Sequence, residues 1–351
     1  MAKRDIIVIG ASAGGVEALT RLASELPSDL AAAVFVTLHF PRSSPSVLPR
    51  ILGRAGPLPA LHPVDGMPIR HGHIYVALPD FHLLVRPDVV RLVRGPTENG
   101  NRPAIDPMFR SAAVAYGPRV IGVVLTGNLD DGTGGLLAVR RRGGIGVAQD
   151  PVDAMFPSMP SSAIDHGAVD HIVPLEQLGP LLRRLTTEEI PLPTRKDIMD
   201  DAAREDAFSA FEVDAIEDPD RHPGQPSPFG CPDCGGVLWA IDDGELTRFR
   251  CRVGHGWTTE ALRAQQSTSL ETALWTALRA LEESAALNRQ MAERMRHRGA
   301  DHVSARFTGN ALQAEERART IRELLLRQRV DTADEHEGAA VPLPVPAEPS
   351  A

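Results

Sequence analysis

Short runs of β-branched residues alternate with helical patterns through the first 185 residues. This alternation constrains the fold more than any other feature, because strands separated by helices pair in a parallel sheet covered on both faces. We therefore predict an α/β fold, a doubly wound, mostly parallel (Rossmann-like) sheet, with one β-hairpin inserted around Arg86-Pro-Asp88. The predicted strands are Ile6–Ile9, Val34–Leu38, Ile74–Ala77 and Val120–Leu125, and the predicted helices are Glu17–Glu25, Ala138–Arg142 and Leu175–Leu185.

Composition divides the rest of the chain into four further segments. Residues 186–228 collect acidic residues and then prolines with few apolar ones, which is typical of a flexible linker. Residues 229–257 hold all three cysteines, and residues 258–330 have the composition and spacing of helices. Residues 331–351 are predicted to be a disordered tail. The first segment, residues 1–185, is the predicted α/β domain.

Charge and hydropathy exclude several classes of function. The formal net charge of −9 is concentrated after residue 185, and no basic stripe typical of nucleic-acid binding is present. No apolar run approaches the roughly 20 residues of a membrane span. The run Ile6–Ile9 is too short for a secretory signal. We expect a cytoplasmic protein with no nucleic-acid partner and no membrane insertion.

Ser12 lies where a predicted strand, a glycine turn and a helix start meet, in the sequence Gly10-Ala-Ser12-Ala-Gly14. A dinucleotide-binding turn is disfavoured, because Ser12 replaces the middle glycine and the next strand ends in His39 where an acidic residue is expected. A nucleophile elbow fits the G-x-S-x-G pattern, and the following helix N-terminus suits a developing oxyanion. A simple helix cap also explains a serine here when the loop is considered alone.

Two more polar residues follow separate predicted strands. His39 comes directly after Val34–Leu38, and Asp131 lies in a glycine-rich turn after Val120–Leu125. Considered alone, a histidine is more often structural and an aspartate here is more often a helix cap. The carboxyl ends of strands in an open α/β sheet meet at one crevice, so residues after three strands can meet. This joint placement favours a triad of Ser12, His39 and Asp131.

These segments resemble those of the catalytic domain of chemotaxis protein-glutamate methylesterases (CheB type), over about residues 4–185. Further similar segments are Asp65-Gly-Met-Pro68, Gly72-His-Ile-Tyr-Val-Ala77, Pro107-Met-Phe-Arg110-Ser111 and Phe156-Pro-Ser-Met-Pro160. The resemblance implies that Ser12 is the nucleophile, His39 the general base and Asp131 the residue that orients the imidazole. It implies hydrolysis of glutamate methyl esters on methyl-accepting chemotaxis receptors or similar signalling proteins, deamidation of receptor glutamines, and no catalytic cofactor.

The sequence departs from the family pattern at two positions near the triad. Ala13 stands where the family often has Thr, and Asn128 stands where it usually has a Met whose backbone N–H faces the oxyanion. A backbone donor survives these changes, so Ala13, Gly14 and Asn128 are the expected oxyanion and turn residues. No receiver domain is found in this sequence, so regulation by aspartyl phosphorylation within the chain is not expected.

The cysteines form one set with metal-ligand spacing. Cys231 and Cys234 lie in a C-P-x-C-G knuckle, and Cys251 and His255 follow as Cys-x3-His after a predicted hairpin. Four such donors predict one structural zinc in a zinc-ribbon-like module, because so small a unit has little core without a metal. Unligated buried thiols are the alternative, and His255 is the least typical ligand.

Apolar residues in 258–330 recur at spacings of three and four in two runs separated by Gly299. This pattern predicts a helical hairpin or coiled coil, either self-contained, bound to a partner or self-associating.

Two other functions stay open for the whole chain. One is a catalytically weak signalling scaffold, and the other is an esterase or amidase acting on a non-chemotaxis protein.

Overall fold

The structure is a computed structural model that describes residues 2–190, 201–210, 224–242, 244 and 246–337. The chain divides into two compact units, Met1–Gln265 and Gln266–Ala351. Within the described residues, no helix combines the length and the apolar character needed to cross a bilayer.

The first unit contains fifteen strands and seven complete helices among its described residues. The strands are β1 (Ala2–Lys3), β2 (Ile6–Ala11), β3 (Ala33–Leu38), β4 (Ala60–Leu61), β5 (Ile74–Val76), β6 (His82–Arg86), β7 (Val89–Val93), β8 (Val120–Val124), β9 (Ile145–Gln149), β10 (His171–Val173), β11 (Glu189–Ile190), β12 (Gln225–Gly230), β13 (Val237–Asp242), β14 (Thr247–Cys251) and β15 (Gly256–Thr258). The helices are α1 (Gly15–Glu25), α2 (Leu48–Ala55), α3 (Ile105–Tyr116), α4 (Thr133–Arg141), α5 (Ser158–Asp165), α6 (Leu175–Thr187) and α7 (Asp201–Ser209).

Seven strands form one parallel sheet in the order β10-β9-β8-β2-β3-β5-β4, which confirms the predicted α/β fold. Chain order reverses direction at β2, with β8, β9 and β10 following outward on one side and β3 on the other, where β5 lies between β3 and the edge strand β4. The carboxyl end of β2 is therefore a topological switch point, where open α/β sheets form their crevice.

Both faces of the sheet are covered, because side chains of each buried strand alternate between two apolar clusters. Ile7 and Ile9 of β2 enter the cluster that includes α1, α2 and α6. Ile6 and Val8 enter the opposite cluster, which includes α3, α4 and α5. The predicted hairpin is also present, with β6 and β7 joined through Asp88 at a positive φ of 64°.

The cysteine-containing segment folds into a four-stranded antiparallel sheet, β12-β13-β14-β15. We call residues 224–258 the Cys3His module. Its small apolar core includes Leu238, Phe249 and Trp257. The module belongs to the same compact unit as the parallel sheet, although the sequence had predicted segments 1–185 and 229–257 as separate domains.

The segment 186–228, expected to be a linker, contains β11 and the helix α7. Glu205 of α7 is buried and forms ion pairs with Arg110 of α3 and with Arg248 and Arg250 of β14. An acidic residue that composition assigns to a solvated linker is thus a buried counter-charge between α3 and the Cys3His module. Residues 191–200 and 211–223 of the predicted linker lie outside the described residues.

The second unit is a helical hairpin. Its helices are α8 (Thr259–His297), whose first seven residues belong to the first unit, and α9 (Asp301–Glu337). Gly299 lies between them at a φ of 72°, and Leu278, Ala318 and Leu325 form the buried seam. Helix α9 continues to Glu337, seven residues into the predicted tail, and residues 338–351 lie outside the described chain.

Candidate active site

The loop that carries Ser12 is shaped by two glycines. Gly14 has a left-handed φ of 71° and is the residue before α1. A Cβ on Gly10 would lie 2.4 Å from a methyl carbon of Ile105, so only glycine lets the first turn of α3 approach the end of β2 so closely. The Ser12 hydroxyl is consequently presented at the switch point, beside the N-termini of both α1 and α3.

The structure brings Ser12, His39 and Asp131 together in one hydrogen-bonded chain. Nδ1 of His39 lies 3.1 Å from Oγ of Ser12, and Nε2 of His39 lies 2.7 Å from Oδ2 of Asp131. His39 follows β3 and Asp131 follows β8, so the three residues follow adjacent strands. The His39 side chain is 13% exposed and that of Asp131 is 3% exposed. The hydrogen-bonded path thus runs from the partly accessible hydroxyl of Ser12 to the buried carboxylate of Asp131.

Asp131 is held as an anion by its surroundings. Its Oδ2 accepts the N–H of Ile105 at 2.8 Å, and its Oδ1 accepts the N–H of Asp106 at 3.3 Å. Burial acts to raise the pKa of Asp131, but the hydrogen bonds from His39 and from these two amides outweigh it and hold the pKa below its ordinary value. The first turn of α3 supplies both amides, where the helix dipole also favours negative charge.

Asp106 completes this arrangement from the other side. Its Oδ1 accepts the N–H groups of Gly132 and Gly135, at 3.1 and 2.6 Å, and so secures the start of α4 directly after Asp131. Burial and the neighbouring Asp131 charge raise the pKa of Asp106 well above its ordinary value. Of these two neighbouring carboxyl groups, Asp131 is therefore the one that carries the negative charge.

A carboxylate at Nε2 fixes the proton-transfer direction of the imidazole. When Nε2–H donates to Asp131, Nδ1 is left as the acceptor for the Ser12 O–H. The hydroxyl can then lose its proton to His39 as it attacks an electrophilic carbon, and the imidazolium that forms is stabilised by Asp131. This geometry is suited to acyl transfer through a serine nucleophile.

The predicted oxyanion residues lie on two loops, one before α1 and one after β8. The N–H of Ser12 itself donates to the Thr126 carbonyl at 3.0 Å and is already used. Ala13 and Gly14 lie at the N-terminus of α1, while Asn128 is exposed on the loop after β8. The next residue, Leu129, has a positive φ of 60°, a strained conformation of the kind found at functional sites.

A cavity of about 410 Å³ opens beside the imidazole, lined by residues 39–42 and 100–102. Arg42 and Arg102 are among the lining residues, and Arg102 also pairs with Asp80 at 2.6 Å. The space beside His39 therefore has room for a group of the size of an amino-acid side chain and is lined by two arginines.

The four donor atoms of Cys231, Cys234, Cys251 and His255 lie within 4.8 Å of one another. The sulfurs of Cys234 and Cys251 are 3.7 Å apart, and Nδ1 of His255 lies 3.5 Å from the Cys251 sulfur and 3.7 Å from the Cys231 sulfur. Tetrahedral zinc with ordinary bond lengths would put such S···S and S···N edges at about 3.8 and 3.6 Å. The donor set is thus a cluster that could hold a metal ion.

The ionisation of these thiols also fits a cation. A hydrogen bond from Cys251 lowers the pKa of Cys231, and the same contact raises the pKa of Cys251. Two thiolates at this distance repel one another unless a cation lies between them. Bound metal would let all three sulfurs ionise together.

Two residues near the triad were not found from the sequence. Asn99 donates from Nδ2 to Oδ1 of Asp131 at 3.2 Å, and Thr126 holds the Ser12 loop by donating its hydroxyl to the Ala13 carbonyl at 3.0 Å. The Asn99-Gly100 dipeptide does predict a tight turn, and both residues have positive φ here. The neighbouring sequence does not indicate that Asn99 contacts Asp131, because Asn99 and Asp131 are 32 positions apart.

Comparison with known proteins identifies the first half of the chain. The family model for CheB methylesterase matches residues 7–182. A protein-glutamate methylesterase/protein-glutamine glutaminase of Paramagnetospirillum magneticum is 38% identical over 52% of this chain and 49% of its own length. A putative protein of the same name from Leptospira interrogans is 35% identical over 52% of this chain and 94% of its own length.

The crystal structure of the Thermotoga maritima CheB methylesterase catalytic domain matches with a TM-score of 0.50 and 32% identity, over 53% of this chain and 99% of that one. The chain spans about half the length of several of its relatives, including those of Paramagnetospirillum magneticum and Rhodospirillum rubrum. The family model nevertheless covers half of this chain, and the chain covers nearly all of the shorter relative and of the solved domain. The chain belongs to the CheB methylesterase family.

Proposed function

We propose that this chain is a protein-glutamate methylesterase in which Ser12 is the nucleophile, His39 the general base and Asp131 the orienting carboxylate. The observation that carries the proposal is the continuous hydrogen-bonded path from hydroxyl to imidazole to buried carboxylate. Its position at the switch point of a CheB-type sheet supports the same conclusion. The names of the relatives support glutamate methyl esters as substrates and glutamine side chains as second substrates.

The acylation half-reaction follows from the geometry. Oγ of Ser12 attacks the ester carbonyl carbon while Nδ1 of His39 takes the hydroxyl proton. Backbone N–H groups from Ala13, Gly14 and Asn128 are the proposed donors to the oxyanion. Collapse breaks the bond to the methoxy oxygen, His39 returns the proton to it, and methanol leaves with the substrate acyl group bound to Ser12.

Deacylation uses the same groups in reverse. A water molecule attacks the acyl carbon and gives a proton to His39, and the bond to Ser12 breaks as the proton returns to Oγ. The product is a glutamate carboxylate. With a glutamine substrate the leaving group in the first half is ammonia, which accounts for the deamidase activity in the relatives' name.

Methyl-accepting chemotaxis receptors, or similar signalling proteins, are the proposed partners, as the resemblance of the signature segments implies. The cationic cavity at residues 39–42 and 100–102 supports a substrate segment with acidic side chains near the reacting glutamate. We also place the protein in the cytoplasm, because three cysteines gathered in a metal-type cluster suit a reducing compartment.

The Cys3His module is proposed to bind one structural zinc ion through Cys231, Cys234, Cys251 and His255. Four protein donors leave no open position for a substrate, so the zinc would hold the fold of the module and take no direct part in the chemistry at Ser12. Elemental analysis of the purified chain should find one zinc per chain. A chain without metal, with three freely reactive thiols, would contradict this.

The helical hairpin is proposed to self-associate. Trp275, Leu287 and Leu312 are each at least 46% exposed, and their helices contribute only a narrow seam to the hairpin's own core. Static light scattering should give a mass above 37.8 kDa that falls on dilution. A constant monomer mass would show that the hairpin is self-contained or takes another partner.

The function is tested by incubating the full-length protein with receptor fragments that carry glutamate methyl esters. We expect release of methanol, with one new carboxylate per methanol detected by mass spectrometry. Hydrolysis of a small ester such as p-nitrophenyl acetate without hydrolysis of the receptor would favour an esterase with another protein substrate. No turnover of either substrate by folded protein would favour a signalling scaffold.

A further inference from the structure

The loop that carries Asn99 is an extension of the Cys3His module. The N–H of Asn99 donates to the Gly256 carbonyl at 2.8 Å, and the N–H of Gly256 donates to the Thr97 carbonyl at 3.1 Å. The Thr97 hydroxyl also donates to the carboxylate of Asp233, which lies between Cys231 and Cys234. Residues 97–99 are therefore joined to β15 and to the cysteine knuckle by main-chain and side-chain hydrogen bonds.

The Asn99 amide connects this module to the catalytic carboxylate. Oδ1 of Asn99 accepts the N–H of Thr258 at 2.8 Å, and Nδ2 of Asn99 donates to Oδ1 of Asp131 at 3.2 Å. Asn99 is 8% exposed and does not line the cavity beside His39. Asn99 is thus placed to act on Asp131 and not on a substrate.

Each oxygen of Asp131 has a different set of donors among the described residues. Oδ2 receives the strong contacts, from Nε2 of His39 at 2.7 Å and from the Ile105 amide at 2.8 Å. Oδ1 receives the Asn99 amide and a longer 3.3 Å contact from the Asp106 amide. Asn99 is therefore the side chain that contacts the Asp131 oxygen not bonded to His39.

The metal-donor cluster is next in sequence to the strand that contacts Asn99. His255 directly precedes β15, and the N–H of Cys251 donates to the His255 carbonyl at 3.0 Å across the turn between β14 and β15. Thr258 is three residues from His255. Its hydroxyl donates to Oδ1 of Asp130 at 2.7 Å, so β15 contacts both residues of the Asp130-Asp131 pair, directly or through Asn99.

We propose that the Cys3His module is a working part of the catalytic centre, in which metal binding holds β15 so that Asn99, a positioning residue, orients Asp131 toward His39. The inference rests on the proposed function only for the chemistry of the triad. It predicts that metal content governs the activation of Ser12 although the metal contacts no substrate.

The test compares full-length wild type with Asn99→Gly, each with zinc and after treatment with a chelator. Glycine suits the variant because Asn99 has a φ of 51°, where alanine would add backbone strain. The control is Asp88→Gly, which replaces an exposed residue at a similar φ of 64°. Methanol release measures the proposed activity.

A second readout is independent of the natural substrate. An alkyl fluorophosphonate forms a bond from phosphorus to Oγ of Ser12 as the P–F bond breaks, the hydroxyl proton passes to His39, and fluoride leaves. The labelling rate of Ser12, followed by peptide mass spectrometry, reports how well the triad activates the hydroxyl.

We expect Asn99→Gly to slow labelling and kcat by about 10- to 100-fold with KM unchanged, because misplaced catalytic groups cost rates of that size. Removing zinc should slow wild type by a similar factor. It should have little further effect on Asn99→Gly, because the metal and the side chain act through one path. If zinc removal slowed Asn99→Gly by the same factor as wild type, the proposal would be overturned. It would also be overturned if either zinc removal from wild type or the Asn99→Gly substitution left the rates unchanged.

The variant Asn99→Asp separates positioning from general stability. It keeps an acceptor for Thr258 but places a second carboxylate beside Asp131, which favours a protonated imidazole at His39. The acid limb of the labelling rate should move to higher pH. A loss of rate with an unmoved limb would overturn the positioning role. A wild type labelled at Ser12 that releases no methanol would refute the proposed substrate and leave this inference intact, whereas a wild type without labelling would refute both.

Discussion

The parallel sheet and the Cys3His module hold their parts of the first unit together in different ways. The six residues of β2 are all buried, and apolar clusters cover the sheet on both faces. The module has one small apolar cluster. Its contact with α3 and α7 is charged, with Arg248 and Arg250 buried beside Glu98 and Glu205.

The contrast between apolar burial in the sheet and polar contacts in the module distinguishes the forces that position the catalytic residues from the forces that orient their side chains. Apolar burial is roughly proportional to area and non-directional, so it fixes the strand ends that place Ser12 and His39. Hydrogen bonds and metal ligands are directional, and in the proposal above they orient Asp131 through Asn99. The sheet supplies the positions of the triad, and the module supplies part of its alignment.

The largest expected effect is at the sheet, in Ser12→Ala. Removing the nucleophile should lower kcat for methanol release by about 10⁴-fold or more, because among the described residues Ser12 is the one whose hydroxyl contacts the His39 imidazole. The melting temperature should stay close to that of wild type. Ser24→Ala is the matched control, since Ser24 is exposed on α1 and its hydroxyl donates to the Arg21 carbonyl. Near-normal turnover by Ser12→Ala would break the assignment of the nucleophile.

The next effect is at the charged contact, in Glu98→Gln. Glu98 accepts hydrogen bonds from Arg110 at 2.6 Å and from Arg250 at 3.1 Å, and all three residues are buried. Removing its charge leaves the arginines with less compensation and should lower the free energy of unfolding by about 3–5 kcal/mol at pH 7. Urea unfolding followed by circular dichroism measures it. The exposed Glu189→Gln is the control and should change stability by less than about 0.5 kcal/mol.

The pH dependence of this contact has a definite sign. Burial acts to raise the pKa of Glu98, but Arg110 and Arg250 outweigh it and hold the pKa well below its ordinary value. The stabilisation is therefore fully present above the unfolded pKa of about 4.3 and is lost as the pH falls below it. Glu98→Gln should lose less stability than wild type between pH 5 and pH 3. Parallel pH curves for the two proteins would contradict the charged contact.

The smallest effect concerns Asp130, which accepts the Thr258 hydroxyl. Burial raises the pKa of Asp130 to about 6, although the Thr258 hydrogen bond acts to lower it. A raised carboxyl pKa lowers stability as the pH rises from about 4 through 6, because the unfolded state gives up its proton first. Asp130→Asn should thus be more stable than wild type by about 1–3 kcal/mol at pH 8 and similar near pH 4.

Thermal melts at the two pH values measure the Asp130→Asn difference. The exposed Asp242→Asn serves as a control that should show no such pH dependence. A variant that is less stable than wild type at both pH values would show that Asp130 is charged and stabilising in the folded state.

Four of the seven strands of the sheet, β2, β3, β5 and β8, could be predicted because each is a mostly apolar run bounded by turn residues, whereas β4, β9 and β10 were not predicted. The placement of Ser12, His39 and Asp131 followed from the rule that parallel strand ends share one edge. The helices α2, α3 and α5 were not predicted. Arg110 and Asp106 of α3 are polar residues on a buried helix, and their partners lie far away in sequence.

The acidic segment shows what composition cannot reveal. Glu205 and Ser209 are typical linker residues, yet both are buried, because Arg110, Arg248 and Arg250 supply partners from two other segments. The same applies to Asn99, whose turn is visible in the sequence but whose contact with Asp131 is not. Long-range polar pairing has no periodicity that a sequence can display.

A zinc titration of the metal-free, full-length protein tests most directly whether the Cys3His module and the triad form one functional unit. Zinc is added in steps up to two equivalents per chain, and bound metal and the fluorophosphonate labelling rate of Ser12 are measured in the same samples. We predict that the rate rises about 10- to 100-fold in proportion to bound zinc and levels off at one equivalent. A rate that is the same with no metal and with one bound zinc would contradict the coupling.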